Sequence, residues 1–424
     1  MSVLLKNATF IDWQTLKFRQ TNILTGQETD SFLEFPDAIP NEFENHEVLD
    51  CSGLFVTKSF ANAHHHIYSV LSRGMPPSDI PPKNFYEKLK YVWWKLDKSL
   101  DSEIIEASAL YAAMMSLKAG VTFIIDHHAS PYAIENSLPV IANAFEKSGV
   151  SHLLCYEVSD RDGKEKAAEG LKLTSEYLKH HQGLVGLHAS FTVSDQTMKE
   201  AALLAEKFQS GVHIHVAEDQ FDEEHCQSNY QMSVIDRLDG FGFLQMPKSI
   251  FVHCLHLDDR EKKKLSDGRT WIVENMESNL NNRVGIFQSK NMGNRIMLGT
   301  DGMHSNMIRS AQWAYFAGLQ NDPQLPDTIY HRLRNVHHYL SNNRFSGDSE
   351  NNFVVLDYNT PTEINSNNYC GHFIYGMDAT HVKHVISGGK LVVKDRQLTL
   401  ANENDILLFS KEMGRKLWTK MKGI

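Results

Sequence analysis

From Leu54 to about Leu298 the chain alternates short, almost wholly apolar runs with longer stretches whose apolar residues recur every three or four positions. The short runs read as buried strands and the longer ones as amphipathic helices. Eight strands follow: LFVTKSFA (Leu54–Ala61), VTFIIDHH (Val121–His128), SHLLCYEV (Ser151–Val158), LVGLHAS (Leu184–Ser190), GVHIHVAE (Gly211–Glu218), SIFVHCLHL (Ser249–Leu257), TWIVEN (Thr270–Asn275) and RIMLGTDG (Arg295–Gly302). Helical segments fall between them at Glu103–Ala119, Ala133–Lys147, Lys164–His180 and Asp195–Gln209. Pro139 inside the second of these argues against one straight helix. Strands alternating with helices imply parallel strands joined by crossovers. Eight such units in about 250 residues have the size of a (β/α)8 TIM barrel, an α/β fold. A doubly wound open sheet is the rival arrangement.

The flanks lack this rhythm. VLLKNATFI near the N-terminus, FVVLDYN (Phe353–Asn359) and HVKHVISGGKLVV (His381–Val393) read as short strands, with Gly388-Gly389 as a turn. The division expected is therefore a barrel over residues 55–345 and a small β-sandwich assembled from residues 1–54 and 346–424. Ser341–Asn352 is a polar linker into the second part, and Asn404–Met421 a terminal surface helix.

Composition narrows the function classes. The 424 residues carry a net charge of −10, which argues against a nucleic-acid binder. No apolar run reaches the roughly 18 residues that span a bilayer, and Lys6, Asn7 and Asp12 interrupt the N-terminal stretch too early for a signal-peptide core. Five scattered cysteines without a C-x-x-C pair suit reduced thiols, so a cytoplasmic location is expected.

The site of a parallel barrel lies at the C-terminal ends of its strands, and there this chain concentrates its histidines and acids. ANAHHHIYSV (Ala61–Val70) ends the first strand. If the strand runs into the histidines, a period of two puts His64 and His66 on one face and His65 on the other. Asp126, His127 and His128 end the second strand, His188 the fourth, His215 and Glu218 the fifth, His253 and His256 the sixth, and Asp301 the eighth. One histidine at a strand end is usually hydrogen-bonded structure; so many in the same place point to metal-assisted hydrolysis. His64, His66, His215 and Asp301 form a donor set for zinc or ferrous iron that leaves a position for water. Glu218 is placed to carry a proton from that water to a substrate, and His253 to polarise or orient it.

These motifs carry a resemblance. NAHHH resembles the N-x-H-x-H of the amidohydrolase superfamily, and GLHASFTVS, HIHVAED, VHCLHL, ESNLNNRVG and LGTDGMHSN resemble successive signatures of its single-metal branch. That branch holds guanine deaminase, adenosine-analogue deaminases and atrazine chlorohydrolase. WWKLDKSLD, IIDHHASP and YSVLSRGMP are closer still to the selenium-metabolism aminohydrolase group within it. The resemblance implies one divalent transition metal, zinc before iron, on His64, His66, His215 and Asp301. It implies Glu218, His253 and Asp301 as catalytic, His188 facing the substrate, and His65 as a bystander. It also implies a homodimer acting on a small nitrogen heterocycle, with C–NH2 replaced by C=O. A chlorohydrolase or cyclic amide hydrolase using the same site is the alternative, and a metal-binding homologue without turnover a more distant one.

Two departures stand out. Lys58-Ser59 replaces the usual Pro-Gly, and Glu274-Asn275-Met276-Glu277-Ser278-Asn279 replaces a seventh-strand H-N/C-P-x-S-N. Two further substrate-side candidates stay open on residues alone. His128 is either a pocket residue or a hydrogen-bonded strand end, and Arg73 either an anion contact or a surface arginine. Trp93 and Trp94 are open between pocket wall and core.

Overall fold

The computed structural model describes residues 2–26, 33–36 and 47–424. Its eight parallel strands are Phe60–His65, Val121–His128, Ser151–Tyr156, Val185–Ala189, Val212–Val216, Ile250–His253, Trp271–Glu274 and Ile296–Leu298. The first three pair in sequence order in one sheet and the last five in another. Isolated parallel bridges join the two sheets: Leu154 with Gly183 and Val158 with Leu187 at one seam, His65 with Asp301 at the other. Nearly every residue of these strands is buried, which is why they read as continuous apolar runs rather than alternating ones.

The crossover helices start where the local chemistry allows. Asp101 caps Ser102–Lys118 by accepting from the Ile104 N–H, Ser194 caps Asp195–Lys207 through Thr197, and Asp258 with Glu261 forms a capping box on Asp259–Asp267. Pro139 breaks nothing. The helix there is Ser137–Ser148, so the proline lies in its first turn, where an N–H has no intrahelical partner to lose.

Leu54–Ala61 is not one strand. Phe55–Lys58 and Phe60–His65 belong to different sheets, and the chain switches between them at Ser59. At the switch Arg334 donates through Nη1 to the carbonyls of Lys58 and Ser59 at 3.1 and 2.8 Å, partners no neighbouring strand then has to supply. The buried Lys58 ammonium lies 3.1 Å from Asp348 and donates to the Ser349 carbonyl at 2.8 Å.

Both termini contribute to a nine-stranded mixed sheet. Phe55–Lys58 lies parallel to Val3–Ile11 and antiparallel to Phe353–Leu356, and Val382–Ser387 and Lys390–Lys394 continue beyond the latter. Val3, Leu5, Ile23, Val56, Phe353, Val355 and Ile386 form its core. Gly388-Gly389 makes the turn with φ of 54° and 76°. A Cβ on Gly389 would stand 1.9 Å from the Gly26 carbonyl oxygen, so the position admits only glycine. The terminal helix Glu403–Met421 packs on Ser102–Lys118, where Lys416 and Lys420 reach Asp101 at 3.0 and 2.9 Å. Among the described residues no helix is long and apolar enough to cross a membrane.

Candidate metal centre and active site

His64, His66, His215 and Asp301 each direct one donor atom to a common region, all within 4.8 Å of one another. Two of the rings are held by their far nitrogen. His66 donates through Nδ1 to the His127 carbonyl at 2.6 Å, and His215 through Nδ1 to the His188 carbonyl at 2.8 Å. A carbonyl only accepts, so in the neutral rings both Nε2 atoms carry lone pairs. Those two atoms are 3.1 Å apart, and Asp301 Oδ1 lies 3.2 Å from His66 Nε2 and 3.5 Å from His64 Nε2. Lone pairs and a carboxylate converging in a buried space call for a cation among them, and imidazole with carboxylate is a donor set for a zinc-like ion. His65 points away and meets Ser305 Oγ at 3.0 Å.

The backbone leaves the strands abruptly at these positions. Ala217, His253 and Asp301 take φ of 44°, 72° and 52°. Left-handed non-glycine residues cost about 1–3 kcal/mol each and cluster where a side chain must be aimed. Ala217 lies between His215 and Glu218 and turns the chain so that both face the cavity.

Glu218, His253 and Asp301 form a second convergent group. His253 Nδ1 donates to Asn279 Oδ1 at 2.8 Å, which leaves Nε2 facing Glu218 Oε2 at 3.5 Å and Asp301 Oδ2 at 4.0 Å. Asn282 donates to Glu218 Oε1 at 3.3 Å, and Ser278 donates to Asp301 Oδ2 at 2.5 Å. Burial, reinforced by the Asp301 charge, pushes the Glu218 carboxyl well above its usual range. Burial acts on Asp301 in the same direction, but the imidazoles of His64, His66 and His253 that face it hold it well below. Burial lowers His253, and brings His64 down to about 3. Two neighbouring carboxyls driven apart in this way rest in different states: Glu218 is raised toward holding a proton, and Asp301 rests ionised and so can accept one.

The remaining wall of the cavity is half aromatic and half charged. Phe85, Leu89, Trp93 and Trp94 make the apolar side, and Asp97, Glu157 and Arg161 the charged end. Arg161 binds Asp97 closely and lies 3.3 Å from both Glu157 and Asp162. His188 also lines the cavity; its Nδ1 meets Thr192 Oγ1 at 2.6 Å, and its Nε2 faces Glu157 at 3.9 Å.

His128 and Arg73 are not among the lining residues. His128 is buried with Nε2 on Ser130 Oγ at 2.9 Å, and Arg73 is exposed, its guanidinium over the Tyr111 ring and 3.4 Å from the Met303 carbonyl. His128 thus engages Nε2 away from the cavity, while Arg73 touches the backbone of the lining residue Met303 from outside. His256 is likewise occupied, with Nε2 at 2.7 Å from the Val284 carbonyl.

Some lining residues escaped the sequence reading. Glu157 stands just past the third strand and obeys the strand-end rule that found the others. Asp97 and Arg161 lie outside the strands, where no periodicity marks them. Ser278 and Asn282 come from the short helix Met276–Asn282, the first within the Glu274–Asn279 stretch that departs from the seventh-strand motif and the second beyond it. A further donor group, His66, His127, Glu157 and His215, shares two rings with the first. Since each shared ring has only Nε2 free, and one lone pair binds one ion, the two groups are alternatives rather than a pair of sites.

A profile described as Amidohydrolase family matches residues 55–328. The chain belongs to this family. A 5'-deoxyadenosine deaminase of Methanopyrus kandleri is 28% identical to this amidohydrolase over 378 residues, 84% of this chain and 85% of its own. A 5-methylthioadenosine/S-adenosylhomocysteine deaminase of Desulforudis audaxviator is 26% identical over 406 residues, 90% of this chain and 91% of its own. The crystal structure of an adenosine deaminase from Xanthomonas campestris with bound zinc matches at a TM-score of 0.83 and 16% identity, covering 99% of each chain, a likeness of fold.

Proposed function

We propose that this amidohydrolase is a single-metal aminohydrolase that takes C–NH2 to C=O on the base of an adenosine-like nucleoside and releases ammonia. The observation that carries this is the placement of Glu218, a partly buried carboxyl 3.5 Å from His253 and raised toward its protonated form, beside a three-histidine, one-aspartate donor set. Amide hydrolysis needs a proton only at the leaving nitrogen, whereas a ring amidine needs one at the ring nitrogen as well.

The metal, read here as zinc on His64, His66, His215 and Asp301, supplies Lewis acidity that lowers the pKa of a water toward about 7. Glu218 takes the proton released from that water and passes it to the ring nitrogen. His253, locked by Asn279, holds its Nε2 toward the water, and Asp301, held by Ser278, accepts the second proton. As the C–N bond breaks, the amine takes up a proton and leaves as ammonia: substrate plus water gives the keto product plus ammonia. His188 orients the ring from the opposite wall.

The named relatives act on nucleosides with a neutral 5' group or with a homocysteine carrying a carboxylate. Arg161, the one Arg or Lys among the lining residues, is paired with Asp97, Glu157 and Asp162. Among the described residues that line the cavity, no cation is therefore free for a substrate carboxylate, which favours a neutral 5' substituent. The framework is read as a (β/α)8 barrel over residues 55–345, supported by the bridges at both sheet seams. The strands of the two termini, expected as a β-sandwich, join in one nine-stranded sheet among the described residues. The five cysteines, all buried and unpaired, support a cytoplasmic setting.

The test is ammonia release by zinc-loaded enzyme from 5'-deoxyadenosine, 5'-methylthioadenosine, S-adenosylhomocysteine, guanine and a chlorotriazine. Ammonia from the neutral nucleosides, with a lower kcat/KM for the homocysteine, is expected. Chloride release alone, or no product from any of them, would overturn the assignment.

A further inference from the structure

Beneath the donor set, on the side away from the cavity, lies a buried chain of groups that none of the proposed roles uses. His213 precedes His215 by two residues on Val212–Val216 and so projects to the same face of the strand, one layer deeper. Its Nε2 is 2.9 Å from His64 Nδ1, and its Nδ1 is 3.6 Å from Cys155 Sγ. The thiol in turn lies 3.5 Å from the Asp126 carbonyl oxygen. His64, His213 and Cys155 are all completely buried, and the His127 ring stacks on His213 at 4.6 Å.

The direction of every proton in this chain follows from its last member. The Asp126 carbonyl can only accept, so the Cys155 S–H donates to it. The sulfur has then spent its one proton and accepts from His213 Nδ1–H. His213 Nε2 is left with a lone pair, which accepts from His64 Nδ1–H. His64 Nε2 is left bare, facing Asp301 at 3.5 Å. His66 and His215 reach the same state by donating to carbonyls, but His64 has no carbonyl partner at its Nδ1 and depends on a second histidine.

We propose that His213, backed by Cys155, is a positioning residue that fixes the tautomer and ring orientation of His64 and so sets how tightly the site holds its metal. This rests on the reading of His64 as a ligand. Outer partners of a ligating histidine are worth 10–100-fold in metal affinity. The alternative proton order runs backwards: Cys155 S–H to His213, His213 Nε2–H to His64, and a proton on His64 Nε2 where the metal must bind.

The experiment is zinc affinity measured by competition with a chelator, on metal-stripped wild type, His213→Leu and His213→Gln. His213→Leu is expected to bind zinc about 10–100-fold more weakly. His213→Gln, whose side-chain carbonyl can accept from His64 Nδ1–H, is expected to stay near wild type. Wild-type affinity in the leucine variant, or equal loss in both variants, would overturn the positioning role while leaving the metal centre intact. A wild type that binds no zinc would overturn both readings. If the leucine variant fails to fold, nitrogen-15 histidine NMR of zinc-loaded wild type decides: the expected His213 has its proton on Nδ1 and a bare Nε2, and the opposite tautomer contradicts the proposal.

Discussion

Glu218 and Asp301 face the same small space around His253, yet their surroundings push them in opposite directions. Burial and the Asp301 charge raise Glu218, while His64, His66 and His253 hold Asp301 down. Glu218→Gln keeps the shape and the Asn282 contact but removes the proton carrier. Positioned proton transfer contributes about 10²–10⁴-fold in rate, so kcat is expected to fall by that order with metal content unchanged, checked by steady-state kinetics and elemental analysis on one preparation. The pH dependence has a definite sign. As a base Glu218 must be ionised, and its raised value moves the acid limb of kcat/KM above the ordinary 4.5, so the rate rises with pH through that limb. Stability runs the other way. A carboxyl with a raised folded value contributes stability below its unfolded value and loses it as pH rises through the folded one. Metal-free Glu218→Gln is therefore expected to melt higher than wild type at neutral pH, a gain in stability set against lost activity. Wild-type kcat in the variant would shift the proton carrier elsewhere, with His253 the first candidate.

At the scale of elements, what was legible was whatever burial writes into local pattern. Strands buried on both faces are continuous apolar runs, and their polar terminators include His64, His66, His215, Glu218, His253 and Asp301, although the same rule also picks His128 and His256, which bond elsewhere. The alternation that sets His65 apart from its neighbours was equally readable, because it needs only the period of a strand. The switch at Ser59 was not. The apolar run continues through it, and the residues that force it, Arg334 and Asp348, lie far along the chain. His213 was missed for a related reason: a histidine in mid-strand looks like core until the ring across from it is known. The Lys58–Asp348 pair, with His337 Nδ1 at 2.8 Å from Asp348, ties the terminal sheet to helix Pro326–Asn342. Burial opposes ionisation of Asp348, but His337 and Lys58 outweigh it and hold the carboxyl well below the usual range. Its contribution to stability is thus present above pH 3.8 and lost as pH falls through the folded value. Asp348→Ala strands a buried ammonium, and such losses cost about 3–5 kcal/mol. Urea unfolding at neutral pH is expected to show a loss of that size, and a loss below about 1 kcal/mol would mean that water or a shifted Lys58 replaces the pair.

For the whole molecule, strands from distant parts of the chain bring their ends to one place, and the account depends on that convergence holding a single ion. The sequence spacing could suggest the donors but not the two wall residues Asp97 and Arg161, which the fold delivers from outside the strands. Nor could it tell whether His127 and Glu157 mark a second centre. The shared Nε2 atoms of His66 and His215 argue that they do not. Because an ion bound only by the folded chain stabilises it by mass action, removing the metal should also lower the melting temperature. The most direct measurement is elemental analysis of wild type, His65→Ala and His66→Ala, each purified from metal-supplemented medium. About one equivalent of zinc or iron in the first two, and a clear loss in His66→Ala, is the expected result. Two equivalents in the wild type, none at all, or equal loss from both variants would contradict the single-metal centre.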